Sequence, residues 1–182
     1  MKIKLIVLLL IFPMVSHANY FEDNYIFGAS IVNQFADIES NLNVQTSDTG
    51  SGFGLYFDRY YQQEYRFNST LSYVNYGEFD ITGITVAADY IVPITTDFSL
   101  FTGATVGGVL QKFHNDSVSD SAAGYLYGVQ VGGIKYLSDD YLIELGFRLR
   151  QTDLTVSTST TNNATSTISS LNEFYFSVLF MF

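Results

Sequence analysis

Hydrophobic and polar residues alternate with a period of two along most of the chain. The last segment is the clearest, because Phe174, Phe176, Val178, Phe180 and Phe182 share one face. Successive side chains of an extended strand point to opposite sides, so this alternation predicts strands. Eight such segments follow one another, at about 24–34, 52–60, 65–76, 82–92, 98–110, 122–136, 141–151 and up to residue 182.

The connections between these segments alternate in predicted length. Those at 37–50, 111–121 and 152–170 are long and that at 77–81 is of medium length, whereas 61–64, 93–97 and 138–140 are short. Membrane barrels with an even number of strands have tight periplasmic turns and longer extracellular loops. The pattern therefore predicts an all-β fold, an eight-stranded antiparallel transmembrane β-barrel.

The two faces of the strands decide between a membrane barrel and a soluble one. One face carries aromatic and aliphatic residues, and the other carries Gly, Ser, Thr, Gln, Arg, Glu and Asp. A soluble lipocalin-like barrel is the alternative, and it would place its apolar residues inside. An apolar face toward lipid and a polar lumen fit the membrane barrel better.

The N-terminus predicts export. Lys2 and Lys4 precede an apolar run from Leu5 to Phe12, and small residues stand at Ser16 and Ala18. This is the order of a secretory signal peptide, cleaved after Ala18. A membrane anchor is the alternative, but the run is shorter than the ~20 residues that span a bilayer. We therefore expect residues 1–18 to be a signal peptide, 19–182 to be the barrel domain, and the protein to reside in the bacterial outer membrane.

Composition limits the partners. Without Lys2 and Lys4 the mature chain has six basic residues against 18 acidic ones, a formal charge of −12. That balance argues against nucleic acid as a partner. The chain has no cysteine, which removes disulfides and thiolate metal sites. We expect no cofactor and a monomer.

Three glycine-patterned segments carry a resemblance to a known family. They are 101–107 (FTGATVG), 127–140 (YGVQVGGIKYLSDD) and 143–148 (IELGFR). They resemble strands of the OmpA-like, opacity-type outer-membrane β-barrels. The resemblance implies contact with outer-membrane lipid and lipopolysaccharide, and insertion by the outer-membrane assembly machinery. It also implies roles that range from structure and adhesion to small pores. Because the sequence stops at Phe182, we expect the barrel without the family's peptidoglycan-binding domain.

The last strand resembles the family's C-terminal assembly signal. Its alternating residues Phe176, Val178, Phe180 and Phe182 carry that likeness, and Ser177 stands where the signal usually has glycine. The resemblance implies that the assembly machinery reads these side chains.

Six charged residues fall on the predicted lumen faces of the strands. They are Arg66, Asp89, Glu144, Arg148, Arg150 and Glu173. Charges in a narrow lumen are strongly disfavoured unless they are paired. A structural plug of salt bridges is one interpretation, and a gate that opens when the pairs rearrange is the other. Both predict that Arg148→Ala leaves an uncompensated charge.

Catalysis has one weak candidate in the mature chain. His114 lies near Asp116 and Ser117 in a polar segment, and nucleophile and base must be held within hydrogen-bond distance. A loop gives no such fixed geometry, so we expect no enzymatic activity. His114, Asp116 and Asp120 match no metal-ligand spacing, so no metal site is expected.

The long loops are the surfaces most available to other molecules. We therefore expect a structural or surface-interaction role, with a host or phage surface ligand as the possible partner. A narrow passive pore with a charged lumen gate is the alternative. Aromatic residues near the strand ends suit the interfacial girdles of a membrane barrel, among them Tyr60, Tyr61, Tyr76, Tyr136 and Tyr141.

Overall fold

The chain forms a closed antiparallel barrel of eight strands. The computed structural model describes residues 25–40, 45–61, 64–113, 121–158 and 164–182. The strands are β1 Tyr25–Ser40, β2 Gln45–Tyr61, β3 Tyr65–Asn75, β4 Phe79–Pro93, β5 Phe98–Phe113, β6 Ser121–Tyr136, β7 Tyr141–Thr158 and β8 Ala164–Met181. Each strand pairs with the next, and β8 pairs with β1. The predicted fold class and strand number are confirmed. None of these residues belongs to a helix long and apolar enough to span a membrane.

Closure joins the two ends of the described chain. Tyr25 N donates to Phe182 O at 3.2 Å, and Phe182 N donates to Tyr25 O at 2.9 Å. Following the paired residues around the barrel from Tyr65 leads back to the same strand at Asn75, a stagger of ten residues. Strand number and stagger together set the tilt and the width, and eight strands leave an interior just wide enough for side chains.

The two rims of the barrel differ in their connections. At one rim, called the turn end, the short segments 62–64, 94–97 and 137–140 join the strands, and β1 begins and β8 ends there. The opposite rim is called the loop end. One of its connections is also tight, because Gly77 has φ +90° and its amide donates to the Asn75 side chain at 3.0 Å. The medium loop predicted at 77–81 is therefore a three-residue turn, with β4 beginning at Phe79.

Apolar side chains cover the outside of the barrel. Phe27, Ile31, Phe67 and Ile84 are each more than half exposed, and similar residues alternate along every strand. In water such a surface would be an aggregation site, whereas in a bilayer lipid solvates it. The belt ends toward the loop end, where the outward positions become polar, as at Asp37 on β1.

The interior is polar in the middle and apolar at both ends. The prediction of a polar lumen is therefore correct only for its central part. The sequence pattern missed the ends because the inward residues there are aliphatic, like many of the outward ones. At the turn end the buried residues are Ile26, Ile91, Ile134, Leu142 and Leu179, and at the loop end they are Val74, Ile81, Leu126, Leu154, Ile168 and Leu171.

Four strands extend beyond the apolar belt at the loop end. These extensions, called the wall, are Asp153–Thr158 of β7, Ala164–Ser170 of β8, Asp37–Ser40 of β1 and Gln45–Gly50 of β2. The predicted long loops at 37–50 and 152–170 are therefore wrong over most of their length. The Thr and Ser residues there suggested a loop, but β-branched threonines also favour strands. Thr155 and Thr167, for example, pair across β7 and β8 with their hydroxyl oxygens 3.2 Å apart.

The predicted aromatic girdle is only partly correct. Tyr61 and Tyr141 are exposed on the outer surface, as an interfacial girdle requires. Tyr60 and Tyr76 instead point into the barrel and are at most 9% exposed. The error arises because adjacent residues of a strand point to opposite faces, so that Tyr61 points outward and Tyr60 points inward.

Glycines on the inner face make room for large side chains. Replacing such a glycine by alanine therefore tests how tightly the interior is packed. A Cβ at Gly146 would overlap the ring of Tyr175, whereas a Cβ at Gly108, on the outer face of β5, would meet no atom closer than 3.8 Å. We expect Gly146→Ala to lower the free energy of unfolding by about 1–3 kcal/mol, because a filled core must shift.

Urea unfolding in lipid vesicles, followed by gel mobility and circular dichroism, measures that change. Gly108→Ala is the matched control and should be neutral or slightly stabilising, because alanine restricts the unfolded chain. Equal stability of the two variants would contradict the tight packing at Gly146.

Candidate functional site: the charged lumen

One arginine holds three carboxylates in the half of the lumen nearer the turn end. Arg66 Nε and Nη2 both donate to Asp89 Oδ2, at 2.9 and 2.8 Å, and Nη1 donates to Glu144 Oε2. Nη1 also lies 3.6 Å from Asp58 Oδ2. The guanidinium carbon lies 4.7 Å from the ring centroid of Phe101, which packs against its face. Arg66 is only the second residue of β3, yet it is fully buried.

Farther toward the loop end the ratio is reversed, because one carboxylate is shared by two arginines. Glu173 lies between two arginines: Arg148 Nη1 donates to its Oε1 at 2.6 Å, and Arg150 Nη2 donates to its Oε2 at 2.5 Å. Gln34 Nε2 adds a bond to Oε2 at 2.9 Å, and Tyr76 donates its hydroxyl to Gln34 Oε1 at 2.8 Å. Strands β1, β7 and β8 therefore meet at this one carboxylate, and Gln34 links it to Tyr76 in the β3–β4 turn.

Two tyrosines and a glutamine join the two groups. The Arg148 guanidinium lies between Tyr175 and Tyr56, with its central carbon 4.1 and 5.4 Å from their ring centroids. Tyr175 donates its hydroxyl to Glu144 Oε1 at 2.6 Å. Gln130 accepts from Arg148 Nε at 3.0 Å and donates to Asp89 Oδ1 at 2.5 Å. Cation–π contacts of desolvated arginines add to the ionic stabilisation.

All six charged residues singled out in the sequence point into the barrel and are at most 3% exposed. Glu144 and Arg148 do share a face of β7, but each pairs with a different strand, and Glu173 reaches both Arg148 and Arg150. Sequence reasoning left out Asp58, Tyr56 and Gln130. They also lie on inward faces, but their contacts depend on the strand register, which alternation alone does not give.

The residues of the predicted assembly signal lie on the outer face of β8. Phe176, Val178, Phe180 and Phe182 are between 37% and 64% exposed. Phe182 stacks on Phe180 and on Tyr25, with ring centroids 6.0 and 6.4 Å apart. They therefore form an apolar stripe at the β8–β1 seam, and their reading by an assembly machinery stays a prediction.

The candidates for catalysis and metal binding in the sequence, His114, Asp116, Ser117 and Asp120, lie outside the described residues. Within the described part of the chain, no group of three or more His, Asp or Glu residues could hold a metal ion. Asp89, Glu144 and Glu173 all accept hydrogen bonds from arginines on other strands of the barrel. This network is therefore suited to hold the strands together.

An exposed ion pair at the turn end offers a contrast with the lumen. Lys135 donates to Asp97, and the side chains are 44% and 52% exposed. The Lys135 ammonium and the Thr95 hydroxyl both donate to Asp97, which lowers the pKa of its carboxyl group. Water screens such a pair, so it contributes little to stability.

Known structures share this architecture. Neisserial surface protein A is 15% identical, with a TM-score of 0.62 over 86% of this chain and 97% of its own. Outer membrane protein H of Pseudomonas aeruginosa is 19% identical, with a TM-score of 0.59 over 88% and 100%. The attachment invasion locus protein of Yersinia pestis is 13% identical, with a TM-score of 0.55 over 89% and 100%.

These likenesses show that the chain has the fold of the small outer-membrane β-barrels that its sequence resembles. No protein-family model and no curated protein matches the sequence itself.

The buried ion pairs of Arg66 should contribute more to the stability of the barrel than the exposed pair of Lys135 and Asp97. Arg66→Met removes the one cation that contacts three buried carboxylates, and breaking a buried pair from one side costs about 3–5 kcal/mol. We expect this variant to refold poorly in lipid vesicles and to unfold at a lower urea concentration than the unmodified chain.

Lys135→Met is the control, because it also replaces the cation of an ion pair by methionine, but in an exposed pair. It should leave the unfolding midpoint unchanged. A stable Arg66→Met barrel would mean that the carboxylates in the lumen do not depend on Arg66.

Proposed function

We propose that the protein is a small integral barrel of the bacterial outer membrane that acts through its surface at the loop end. In this arrangement the turn end faces the periplasm and the apolar belt lies in the bilayer. The apolar outer face and the shared fold support it. The outer-membrane lipids, including lipopolysaccharide, would contact the belt, and the assembly machinery would insert the chain.

The closed lumen carries the proposal. Ile26, Ile134 and Leu142 are fully buried at the turn end, as are Leu154 and Leu171 at the loop end. Between them the guanidinium groups and carboxylates fill the interior and bind each other. A hydrated ion would have to displace apolar residues at both ends and break several charge-assisted bonds. The interior therefore favours a rigid scaffold over a conduit.

The wall offers a surface for interaction. In the register, Gln45–Gly50 pairs with β1 and, among the described residues, with no second strand. The other edge is similar, because Leu154–Thr158 pairs with β8 and with no second strand that the structure describes. Unpaired strand edges accept an extended polypeptide by main-chain hydrogen bonds. A host or phage surface protein with an exposed extended segment would suit these edges.

A narrow pore is the second candidate. The observation that favours it is the line of buried charged and polar side chains from Asp58 and Arg66 to Arg150 and Gln34. If these pairs exchanged partners together, they could open a polar path. The apolar residues at both rims would also have to move.

Attachment and conductance separate the two candidates. A wall variant removes residues 37–47 and 155–167, and an Asn-Gly turn then joins Ala36 to Asp48 and Leu154 to Ile168, which are paired residues in the barrel. A lumen variant, Tyr56→Phe, removes the hydroxyl that Arg148 Nη2 contacts at 2.9 Å. We expect cells that display the protein to bind cultured epithelial cells or to adsorb phage, and the wall variant alone to lose this ability.

Both variants and the parent protein should be electrically silent in planar bilayers, after a gel-mobility shift on heating has shown that they are folded. Steady channels in the parent whose conductance changes in Tyr56→Phe, together with unchanged attachment by the wall variant, would establish the pore instead.

A further inference from the structure

The charges in the lumen do not balance. The buried charged residues of the central lumen are three arginines, Arg66, Arg148 and Arg150, and four acids, Asp58, Asp89, Glu144 and Glu173. Asp80 is also buried, but it lies at the loop-end rim, where Asn75 Nδ2 donates to it at 2.6 Å. If every acid in the central lumen were ionised, one buried negative charge would lack a counterpart. Such a charge is strongly unfavourable away from water.

Among the residues that the structure describes, no other basic side chain reaches the lumen to restore the balance. The chain has eight lysines and arginines, of which Lys2 and Lys4 lie in the predicted signal peptide. Arg59 and Lys112 are exposed, and Lys135 pairs with Asp97 at the turn end. Both histidines, His17 and His114, lie outside the described residues.

The hydrogen bonds identify which acid is in surplus. Asp89 accepts two bonds from Arg66 and one from Gln130, and Glu144 accepts from Arg66 and Tyr175. Asp58 accepts a single side-chain hydrogen bond from the described residues, from Asn68 Nδ2 to its Oδ1 at 2.5 Å. Its Oδ2 is completely buried, has no hydrogen-bond partner among the described residues, and lies 3.6 Å from Arg66 Nη1.

We propose that Asp58 is a proton-binding site of the folded barrel, and that its carboxyl group is neutral when the lumen is closed. A proton is the cation that fits, because Arg66 already occupies the space beside Oδ2 and the described residues offer no metal-ligand cluster there. Binding of the proton makes the central lumen neutral. The barrel thereby couples its closed state to the pH of the solution.

Other titratable groups lie near Asp58 on several strands. Tyr60 is the next inward residue along β2 toward the β2–β3 turn, and its hydroxyl lies 3.4 Å from that of Tyr136. The other titratable or charged groups around Asp58 are Tyr56 on β2, Arg66 on β3, Asp89 on β4, Glu144 on β7 and Tyr175 on β8. A proton that leaves Asp58 therefore leaves behind a charge beside two other carboxylates.

The sign of the pH dependence follows from the proton count. The folded barrel holds one proton that the aspartate of the unfolded chain has released at neutral pH, so unfolding releases a proton and becomes more favourable as pH rises. Above the pH at which unfolded aspartate ionises, the folding equilibrium constant should fall by about tenfold per pH unit. The fall ends where the folded barrel itself releases the proton.

Asp58→Asn tests this directly, since it keeps the acceptor for Asn68 and removes the titrating group. The measurement is urea unfolding in lipid vesicles from about pH 5 to about pH 9, which spans the range above unfolded aspartate. We expect the tenfold dependence in the parent protein and its loss in Asp58→Asn, with no loss of stability in the variant at the alkaline end. Asp89→Asn is the comparison and should be less stable throughout, because it loses charge-assisted bonds to Arg66.

Infrared spectroscopy of folded protein with isotope-labelled aspartate provides a second readout that needs no variant. We expect the carbonyl band of a protonated carboxylic acid at neutral pH and its disappearance on alkalinisation. Absence of the band, or the same pH dependence in Asp58→Asn, would overturn the proposal. Stability that depends on sodium or potassium concentration at fixed pH would overturn it too, in favour of a bound metal cation.

Discussion

The structure depends on one constraint: every backbone amide and carbonyl of a strand in lipid must find a partner within the protein. Pairing of β8 with β1 meets it, with Tyr25 and Phe182 exchanging backbone hydrogen bonds at the turn end. Closure with eight strands and a stagger of ten residues then leaves a narrow interior. Any side chain that points inward is removed from water, and it must pack or pair. The ion pairs, the aliphatic ends and the glycines on the inner face are all consequences of that confinement.

Confinement also explains why arginines and carboxylates in the lumen share partners and do not form separate one-to-one pairs. Arg66 contacts three carboxylates, whereas Glu173 is shared by two arginines, and Tyr175 and Gln130 connect the two groups. Each group alone would carry a net charge, so neither is independent of the other. Such an interior resists partial rearrangement, because moving one guanidinium leaves several oxygens without donors. This rigidity suits a scaffold that presents its outer segments in a fixed position.

Much of the architecture could be predicted from period-two alternation, because lipid on one side and a filled lumen on the other impose opposite polarities on successive residues. Strand number, inner and outer faces, and the six charged lumen residues follow from it. The wall could not be predicted in this way, because Thr and Ser are found in loops as well as in strands. Neither did the partners of Asp58 or Glu173, because the register that brings β2 to β3, or β8 to β1 and β7, is not encoded in alternation. Tyr60 and Tyr76 show the same limit, since one position along a strand decides between girdle and lumen.

The seam between the first and last strands has a consequence for the order in which the barrel forms. Gln34 on β1 and Glu173 on β8 are 139 residues apart in the chain and meet only when the ring is complete. Until then Arg148, Arg150 and Glu173 lack part of their enclosure, and contacts between such distant residues make folding slow. A half-assembled chain would therefore hold its charges in water while its outer residues already enter lipid. Strand β8, with its outward apolar stripe, is then both the last strand of the ring and the strand that seals its charges from solvent.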